Sequence, residues 1–239
     1  MPNKSIQNTE ITTAIALGRC SLFADVSAQD VEQIAARLEV ISIPRGRLIM
    51  QHGDQTTEVF FLMSGSAIGQ LVAETGRQIL FTEITAGEHF GELAALDGGE
   101  RSITISASTD CVVATLTKAD FHEVLLAYPQ VGINLATELG ARLRRMNERV
   151  FGLVMHDVET RVGIRLLQLA QRQEQLIPDG EISDAPTHEG LASFIGSNRE
   201  AVSRAIARFS KAGIIDTGRK QIVIRDLDRL LEVAETGSA

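Results

Sequence analysis

The sequence predicts an α+β fold, with an antiparallel β-rich half followed by a long helix and a compact helix-turn-helix domain. Three observations support this. Residues 41–117 alternate short apolar runs with glycine turns, residues 129–155 carry a helical apolar repeat, and residues 187–210 have the spacing of two short helices around a glycine. The chain has 239 residues, 44% of them apolar, which is enough for a sizeable core and for two domains.

The first predicted helix lies within residues 22–40. Ser27 is a plausible N-cap, and it is followed by apolar residues on one helical face (Val31, Ile34, Ala35 and Leu38). Residues 1–20 show no clear period, so we expect them to form a loose arm.

Residues 41–117 have the sequence pattern of a β-domain. The runs EVFFLMSG, QILFTEI, SITISAS and CVVATL are rich in β-branched and aromatic residues and are separated by glycine-containing turns. Strands spaced roughly 8–12 residues apart predict an antiparallel sandwich or barrel.

A long helix is predicted from Pro129 to Met155, after a short one at residues 119–127. Apolar residues alternate at spacings of three and four, as in a coiled-coil seam: Ala136, Leu139, Leu143, Met146, Val150 and Leu153. We assign an exposed outer face to Arg142, Arg144, Arg145, Glu148 and Arg149. This pattern favours a homodimer through residues 131–155, and the alternative is one amphipathic helix packed on its own domain.

The remaining chain is predicted to contain a helix at residues 160–173 and a polar loop around residues 178–180. A helix-turn-helix pattern over 187–210 follows, then a β segment at 216–224 and an amphipathic stretch at 227–233. The tail from Glu235 to Ala239 is expected to fray.

The helix-turn-helix pattern rests on its caps and its turn. Thr187 is a good N-cap for the first helix, and Gly196 falls where a tight turn needs a positive φ. We predict that Ser197 caps the second helix and forms a capping box with Glu200.

The second helix has side chains suited to reading DNA. Arg199 and Arg204 can donate to guanine, and Glu200 can accept from cytosine. Lys220, beside Arg219 at a hairpin tip, and the helix amides near Asn198 can contact phosphates. The alternative is that Glu200 only caps the helix and that the arginines are solvated.

A second group of residues is suited to a nucleotide with one phosphate. The short turn that begins at Gly91 exposes backbone N–H groups, and Arg101 and Ser102 can donate to phosphate oxygens. Phosphate repels Glu92, so a ribose hydroxyl is its natural partner. The alternative is that Glu92 and Arg101 form a structural salt bridge.

Two motifs resemble those of one family of bacterial regulators. FGELAAL followed by DGGERSIT resembles the phosphate-binding cassette of cyclic-nucleotide-binding domains, and residues 187–209 resemble a winged helix. With the long helix between them, residues 20–235 resemble the CRP/FNR family, in particular its cyclic-AMP receptor protein branch. The resemblance implies a β-roll effector domain at 1–128, a dimerisation helix and hinge at 129–157, and a winged-helix DNA-binding domain at 158–239.

The resemblance also implies roles for individual residues. Gly91 and Leu93 would offer backbone N–H groups to a cyclic phosphate, Glu92 would bind the ribose 2′-OH, and Arg101 and Ser102 would hold the phosphate oxygens. The DNA-contacting residues would be Thr187, Asn198, Arg199, Glu200, Arg204 and Lys220. The match of Arg199, Glu200 and Arg204 to the family's base-reading positions implies a TGTGA-like half-site in a palindrome. Asp157 matches the aspartate at the family's hinge.

The chain departs from the family pattern where the base of the nucleotide is read. Met146 and Asn147 stand where cyclic-AMP sensors usually have Thr followed by Ser or Asn. Met146 suits seam packing, whereas Asn147 can meet either adenine or guanine. We therefore expect cAMP as the allosteric effector with cGMP as the alternative, and DNA binding that is constitutive or gated by another ligand as the second hypothesis.

The net charge of −8 does not argue against DNA binding, because it is unevenly distributed. Residues 1–130 hold 8 basic and 16 acidic residues, residues 131–239 hold 15 of each, and the window 196–225 carries +5. A basic footprint inside a neutral half is what a DNA-reading helix needs.

Other functional classes are disfavoured. Cys20 and Cys111 lack metal-ligand spacing, Cys20 alone cannot supply an iron–sulfur cluster, and the intact cassette argues against haem despite Pro2, His52 and His89. Paired carboxylates and nucleophile–His motifs are missing, so we expect no enzyme activity. We expect no membrane segment, a cytoplasmic location and RNA polymerase as a further partner.

Overall fold

The computed structural model describes residues 13–72 and 78–236, and the chain divides into two compact units, residues 1–143 and 144–239. Residues 1–12 of the expected loose arm and residues 237–239 of the expected tail lie outside the described residues. For the described residues of both segments, 13–20 and 235–236, the expectation of a loose arm and a frayed tail is wrong. Residues 13–17 are helical with Leu17 fully buried, and Glu235 and Thr236 still belong to the last helix.

The first unit opens with two short helical elements. A 3₁₀ turn at Ser21–Phe23 precedes helix α1 at Ala28–Ala35. The Ser27 side chain accepts from the backbone N–H of Asp30, which confirms the predicted N-cap. The helix is shorter than predicted because the chain has already entered the first strand at Glu39.

Eight strands form two antiparallel sheets. The strands are β1 (Glu39–Ile43), β2 (Leu48–Met50), β3 (Val59–Ser64), β4 (Ser66–Val72), β5 (Gln78–Thr85), β6 (His89–Phe90), β7 (Thr104–Ala107) and β8 (Cys111–Leu116). One sheet has the order β1-β8-β3-β6 and the other β2-β7-β4-β5. The alternating apolar pattern of the sequence therefore gives the predicted two-sheet antiparallel domain.

Strand β3 is apolar on both faces because it separates two cores. Phe60 and Leu62 pack in the cluster that contains Ile105 and Val113, whereas Phe61 packs in the cluster with the helices. The Phe60 ring stacks on Phe90 with centroids 5.1 Å apart. This stacking fixes β6, which leads directly into the turn at Gly91.

Three helices follow the strand-rich segment or interrupt it. They are α2 (Glu92–Asp97), α3 (Lys118–Ala127) and α4 (Pro129–Met155). Helix α4 has the predicted bounds. Val131 and Leu135 near its start are buried, whereas Leu143 and Val150 on the predicted seam are 62% and 52% exposed.

The second unit contains four further helices and a three-stranded sheet. The elements are α5 (Val158–Arg172), β9 (Gly180–Ser183), α6 (His188–Ile195), α7 (Arg199–Lys211), β10 (Ile215–Gly218), β11 (Gln221–Ile224) and α8 (Leu227–Thr236). The sheet is antiparallel with the order β10-β11-β9. Strand β9 was not predicted, because its four residues follow a loop signal and carry a single buried apolar side chain, Ile182.

The core of the second unit joins the helix-turn-helix to the sheet. Buried side chains from α5 (Leu166), α7 (Phe209), β11 (Ile222) and α8 (Leu230) belong to one apolar cluster. The predicted α+β class is confirmed, with an antiparallel β-roll, a long helix and a winged helix-turn-helix. Within residues 13–72 and 78–236, no helix is long and apolar enough to cross a membrane.

Candidate phosphate-binding site and helix-turn-helix surface

Gly91 makes the turn that joins β6 to α2. Its φ of +85° lies in the left-handed region, and a Cβ atom there would stand 2.7 Å from Nη1 of Arg101 and 2.9 Å from the carbonyl oxygen of Glu58. Both the backbone conformation and the space therefore require glycine.

Arg101 is buried beneath this turn, with 1% of its surface exposed. Its Nε donates to Oγ1 of Thr56 (2.8 Å), Nη1 donates to the carbonyl of Gly91 (2.9 Å), and Nη2 donates to the carbonyl of Glu58 (2.9 Å). Nη2 also lies 3.2 Å from Oε2 of Glu58. The guanidinium thus holds the turn in place, and the carboxylate of Glu58 offsets part of its positive charge.

Glu92 is buried at the first position of α2. Its Oε1 accepts from Nη1 of Arg142 at 2.7 Å, whereas its buried Oε2 has no hydrogen-bond partner among the described residues. Burial raises the pKa of Glu92, and the nearby Arg142 opposes that rise. Because Glu92 pairs with Arg142 and Arg101 pairs with Glu58, the alternative of a Glu92–Arg101 salt bridge is wrong.

Arg142 corrects the prediction of an exposed outer face on α4. Besides Glu92, its guanidinium donates to the carbonyl of His89 at 3.2 Å and lies 3.7 Å from Glu138. The first half of α4 packs on the β-roll through buried Val131 and Leu135, which turns Arg142 towards the cassette. In the sequence, the one indication that Arg142 lies near the ligand site is that it precedes Met146 by four residues, one helical turn.

His89, which the sequence analysis considered only for haem, is a buried ionisable residue next to this cluster. Its ring nitrogens have no hydrogen-bond partner among the described residues, and Nδ1 lies 3.6 Å from Oε2 of Glu138. Burial, assisted by the positive charge of Arg142, lowers the pKa of His89 to about 3. The imidazole is therefore neutral in the folded protein at neutral pH.

The other predicted ligand residues are exposed. Leu93 and Ser102 lie at the surface of the first unit. Met146 and Asn147 are exposed on α4 within the second unit. The structure therefore brings together Gly91, Glu92 and Arg101, and it adds Thr56, Glu58 and Arg142.

The helix-turn-helix has the predicted turn and one corrected cap. The side chain of Thr187 accepts from the N–H of Gly190, and Gly196 has a φ of +66°. Helix α7 is capped by Asn198, whose side chain accepts from the N–H of Ala201 at 2.8 Å, so the predicted Ser197 capping box is wrong. The N–H of Ser197 instead donates to the carbonyl of Ala192 and closes the preceding helix, which moves the start of α7 one residue later.

The buried stripe of α7 comprises Val202, Ala205, Ile206 and Phe209. Arg199, Glu200 and Arg204 are all exposed near its start. Lys220 is exposed in the turn between β10 and β11, with a φ of +58°. Thus the predicted DNA-contacting side chains lie on the outside of the unit.

Two arginines of the basic window have internal partners. Arg208 pairs with Glu159, and Arg225 pairs with Asp179 and Asp216. The positive charge available to a DNA backbone is therefore smaller than the sequence count of +5 and is concentrated near the start of α7 and at the tip of the wing.

Arginines from α4 and α5 donate hydrogen bonds to the last carbonyl groups of α6, the first helix of the helix-turn-helix. Nη2 of Arg149 donates to the carbonyl of Phe194 at 2.6 Å, and Nη1 of Arg161 donates to the carbonyl of Ile195 at 2.9 Å. The Phe194 ring lies 3.4 Å from the guanidinium of buried Arg165. Arg149 is half-buried and not on an exposed face as predicted.

The two cysteines are buried and not bonded to each other. Burial raises the pKa of the Cys20 thiol to about 12, so this thiol stays protonated and unreactive at neutral pH. Within the described part of the chain, no group of three or more His, Cys, Asp or Glu side chains is arranged to hold a metal ion.

Comparison with known proteins matches the two units to two domain families. The "Cyclic nucleotide-binding domain" family matches residues 40–128, and the "Crp-like helix-turn-helix domain" family matches residues 160–233. The chain is thus a ligand-sensing domain joined to a DNA-binding domain, the architecture of a transcriptional regulator.

Similar proteins include regulators and solved structures of this class. The CRP-like cAMP-activated global transcriptional regulator of Mycobacterium tuberculosis is 29% identical over 215 residues, covering 90% of this chain and 96% of the relative. The catabolite activator protein of Thermus thermophilus is 27% identical with a TM-score of 0.54, covering 91% of this chain and all of that one. The c-di-GMP-responsive regulator CLP of Xanthomonas campestris shares the fold, with a TM-score of 0.74 at 19% identity over 83% of this chain and 99% of that one. The chain belongs to the CRP/FNR family of transcriptional regulators.

Proposed function

We propose that the chain is a homodimeric transcriptional regulator whose binding to a TGTGA-type palindrome increases when a cyclic nucleotide occupies the β-roll. The observation that carries this proposal is that two buried ionisable side chains of opposite sign, Glu92 and Arg101, lie at one turn without pairing with each other. Glu92 keeps a buried carboxylate oxygen without a partner, and Arg101 supplies a guanidinium beneath the same glycine. A ribose hydroxyl next to a phosphate fits these two groups.

The residues would divide the ligand between them. Glu92 accepts from the ribose 2′-OH through Oε2, because Arg142 already occupies Oε1. Arg101 and Ser102 hold the phosphate, together with the backbone N–H groups of Gly91 and Leu93. By resemblance to the family, Met146 and Asn147 would read the base, with cAMP as the first candidate and cGMP as the second.

The exposed apolar residues of α4 support the homodimer. Leu143, Met146, Val150 and Leu153 are between 39% and 62% exposed, although they form one helical stripe. Burying such a stripe against a second copy removes apolar surface from water at about 25 cal/mol per Å². We propose that residues 131–155 form the dimer interface and that ligand binding shifts the population towards a state with both recognition helices in adjacent major grooves.

The exposed start of α7 supports sequence-specific DNA binding. Arg199 and Arg204 read guanine and Glu200 reads cytosine, while Asn198, Thr187 and Lys220 lie towards the phosphates. As a DNA-binding regulator, the protein would act in the cytoplasm and contact RNA polymerase when bound to its operator.

A nucleotide titration read out by DNA binding tests the proposal. The full chain is mixed with a labelled TGTGA palindrome in a gel-shift assay and titrated separately with cAMP and cGMP. We expect one of them to raise the apparent DNA affinity at least tenfold, and Arg101→Ala to abolish that response. Unchanged affinity at saturating concentrations of both nucleotides would contradict the proposal.

A second candidate is DNA binding that is constitutive or gated by another ligand. It is favoured by Met146, whose thioether offers no useful hydrogen bond to a purine. The fold neighbour CLP is named for c-di-GMP, so the same architecture serves another effector in that protein. Calorimetry that shows no heat with either cyclic nucleotide, combined with specific palindrome binding, would favour this candidate.

A further inference from the structure

The geometry of Arg101 is fixed by neutral groups alone. The Thr56 hydroxyl and the carbonyls of Gly91 and Glu58 accept from Nε, Nη1 and Nη2, each at 2.8–2.9 Å. These three acceptors hold all three nitrogens of the planar guanidinium. Its orientation therefore requires no charged partner.

The side-chain carboxylate of Glu58 adds a charge to this arrangement. Oε2 of Glu58 lies 3.2 Å from Nη2, farther than any of the three neutral acceptors, and the side chain is 48% exposed. A carboxylate in this position contributes little to the orientation of Arg101. Its main effect is to neutralise the positive charge that an anionic ligand needs.

The surroundings of Arg101 contain more acidic than basic groups. Glu92 lies on the neighbouring turn and shares Arg142 with Glu138, so that arginine is already matched. Asp54 belongs to the loop whose backbone pairs with Arg101, since the N–H of Arg101 donates to the carbonyl of Asp54. A ligand phosphate at this site would therefore meet a guanidinium whose charge is already balanced by Glu58.

We propose that Glu58 is a specificity-determining residue that competes with the phosphate of the effector for Arg101 and so lowers the affinity of the site for anions. The proposal rests on the proposed function and concerns the regulation of the same site. By weakening binding, Glu58 raises the effector concentration at which the regulator responds. It also disfavours ligands with a second negative charge more than ligands with one.

The test compares Glu58→Gln with the wild-type chain in isothermal titrations with cAMP, or with cGMP if that is the nucleotide the wild type binds. Removing one nearby charge should tighten binding about threefold at low ionic strength, and the gain should shrink in 0.5 M salt because the interaction is screened. Glu58→Asp retains the charge and should bind like the wild type. Glu123→Gln removes an equal charge from the exposed pair with Arg37 and should leave the affinity unchanged.

The outcomes separate the two proposals. If the wild type binds and Glu58→Gln binds equally or more weakly, with an unchanged melting temperature, Glu58 positions Arg101 and the inference is wrong. If Glu123→Gln tightens binding as much as Glu58→Gln, only the overall charge matters and the inference is also wrong. If no variant binds either nucleotide, the proposed function fails and the inference falls with it.

Discussion

At the residue scale, Gly91 meets two separate demands. The positive φ disfavours any side chain by about 1–2 kcal/mol, and a Cβ atom would in addition collide with Arg101 and the carbonyl of Glu58. We expect Gly91→Ala to lower the free energy of unfolding by more than about 3 kcal/mol and to weaken nucleotide binding. Urea unfolding measures the first effect and calorimetry the second.

Gly46 provides the matched control for this substitution. Its φ is +78°, but a Cβ atom there has nothing within 4 Å. Gly46→Ala should therefore cost only the backbone term of about 1–2 kcal/mol. Equal losses in the two variants would mean that crowding by Arg101 contributes nothing.

His89 makes the stability of the first unit depend on pH. The folded pKa of about 3 lies below the ordinary value of 6.5, so the unfolded chain binds a proton first as the pH falls. The stabilising effect of the neutral imidazole is complete above pH 6.5 and is lost progressively from pH 6.5 towards pH 3. Each pH unit in this window costs about 1.4 kcal/mol.

We expect His89→Phe to remove this part of the acid sensitivity. Glu92, Glu138 and Arg142 face the same cluster and remain in the variant, so the difference between the two proteins isolates the histidine. The variant should be about as stable as the wild type at pH 7 and more stable by about 2 kcal/mol at pH 5, measured by urea unfolding. Parallel losses of stability between pH 7 and pH 5 would contradict the depressed pKa.

The roles of residues that depend on nearby backbone could be predicted from the sequence, whereas the roles of residues whose partners are distant in sequence could not. Thr187 and Gly196 follow from short-range cap and turn chemistry, and both were confirmed. Glu58 and Arg142 act through partners 43 and 50 positions away in sequence, so no local pattern marks them. The salt bridge between Glu92 and Arg101, which the sequence left open as an alternative, does not form because both residues have partners that are distant in sequence.

At the scale of the element, helix α7 depends on the cap that the sequence misplaced by one residue. Asn198→Ala should lower the free energy of unfolding by about 1 kcal/mol, because the N–H of Ala201 loses its acceptor. Asn198→Asp keeps an acceptor of equal quality and should preserve stability in a thermal melt. It also places a negative charge beside the expected phosphates, so it should weaken palindrome binding in a gel shift.

The two readouts distinguish capping from DNA contact. A full loss of stability in Asn198→Asp would show that the amide, and not an acceptor oxygen, holds the start of the helix. Unchanged DNA affinity in the same variant would place Asn198 away from the phosphates.

Elements with a strong period were predicted with accurate bounds, whereas short elements depended on tertiary context. Helix α4 was predicted from Pro129 to Met155, because a proline start and six apolar residues at spacings of three and four are local signals. Strand β9 has four residues and exists through its pairing with β11, which a single-sequence pattern does not reveal.

At the scale of the whole molecule, the exposed seam of α4 predicts a dimer that one charge can disrupt. Val150→Asp places a carboxylate in the apolar stripe and should shift the chain from dimer to monomer in sedimentation experiments at micromolar concentration. Arg145→Asp introduces the same residue on the exposed part of the same helix and should leave the dimer intact. A monomeric wild type, or equal disruption by both variants, would contradict the seam.

The positive charge of the window 196–225 is smaller in the folded chain than its sequence count. The window counts +5 with Asp216 already subtracted, but Arg208 and Arg225 also pair with Glu159 and Asp179, which lie outside the window in sequence and are brought near by the fold. The sequence shows where basic residues are concentrated. Which of them are neutralised by acidic partners is seen only in the structure.

The arginines that hold the end of α6 brace the corner of the chain at Asp157. Arg149 and Leu153 lie before this corner and Arg161 lies after it, and all three contact the last turn of α6 or the glycine that follows. Residues on both sides of Asp157 are thus bonded to the end of the same helix, α6. A change in the direction of the chain at Asp157 therefore requires that at least one of these contacts breaks.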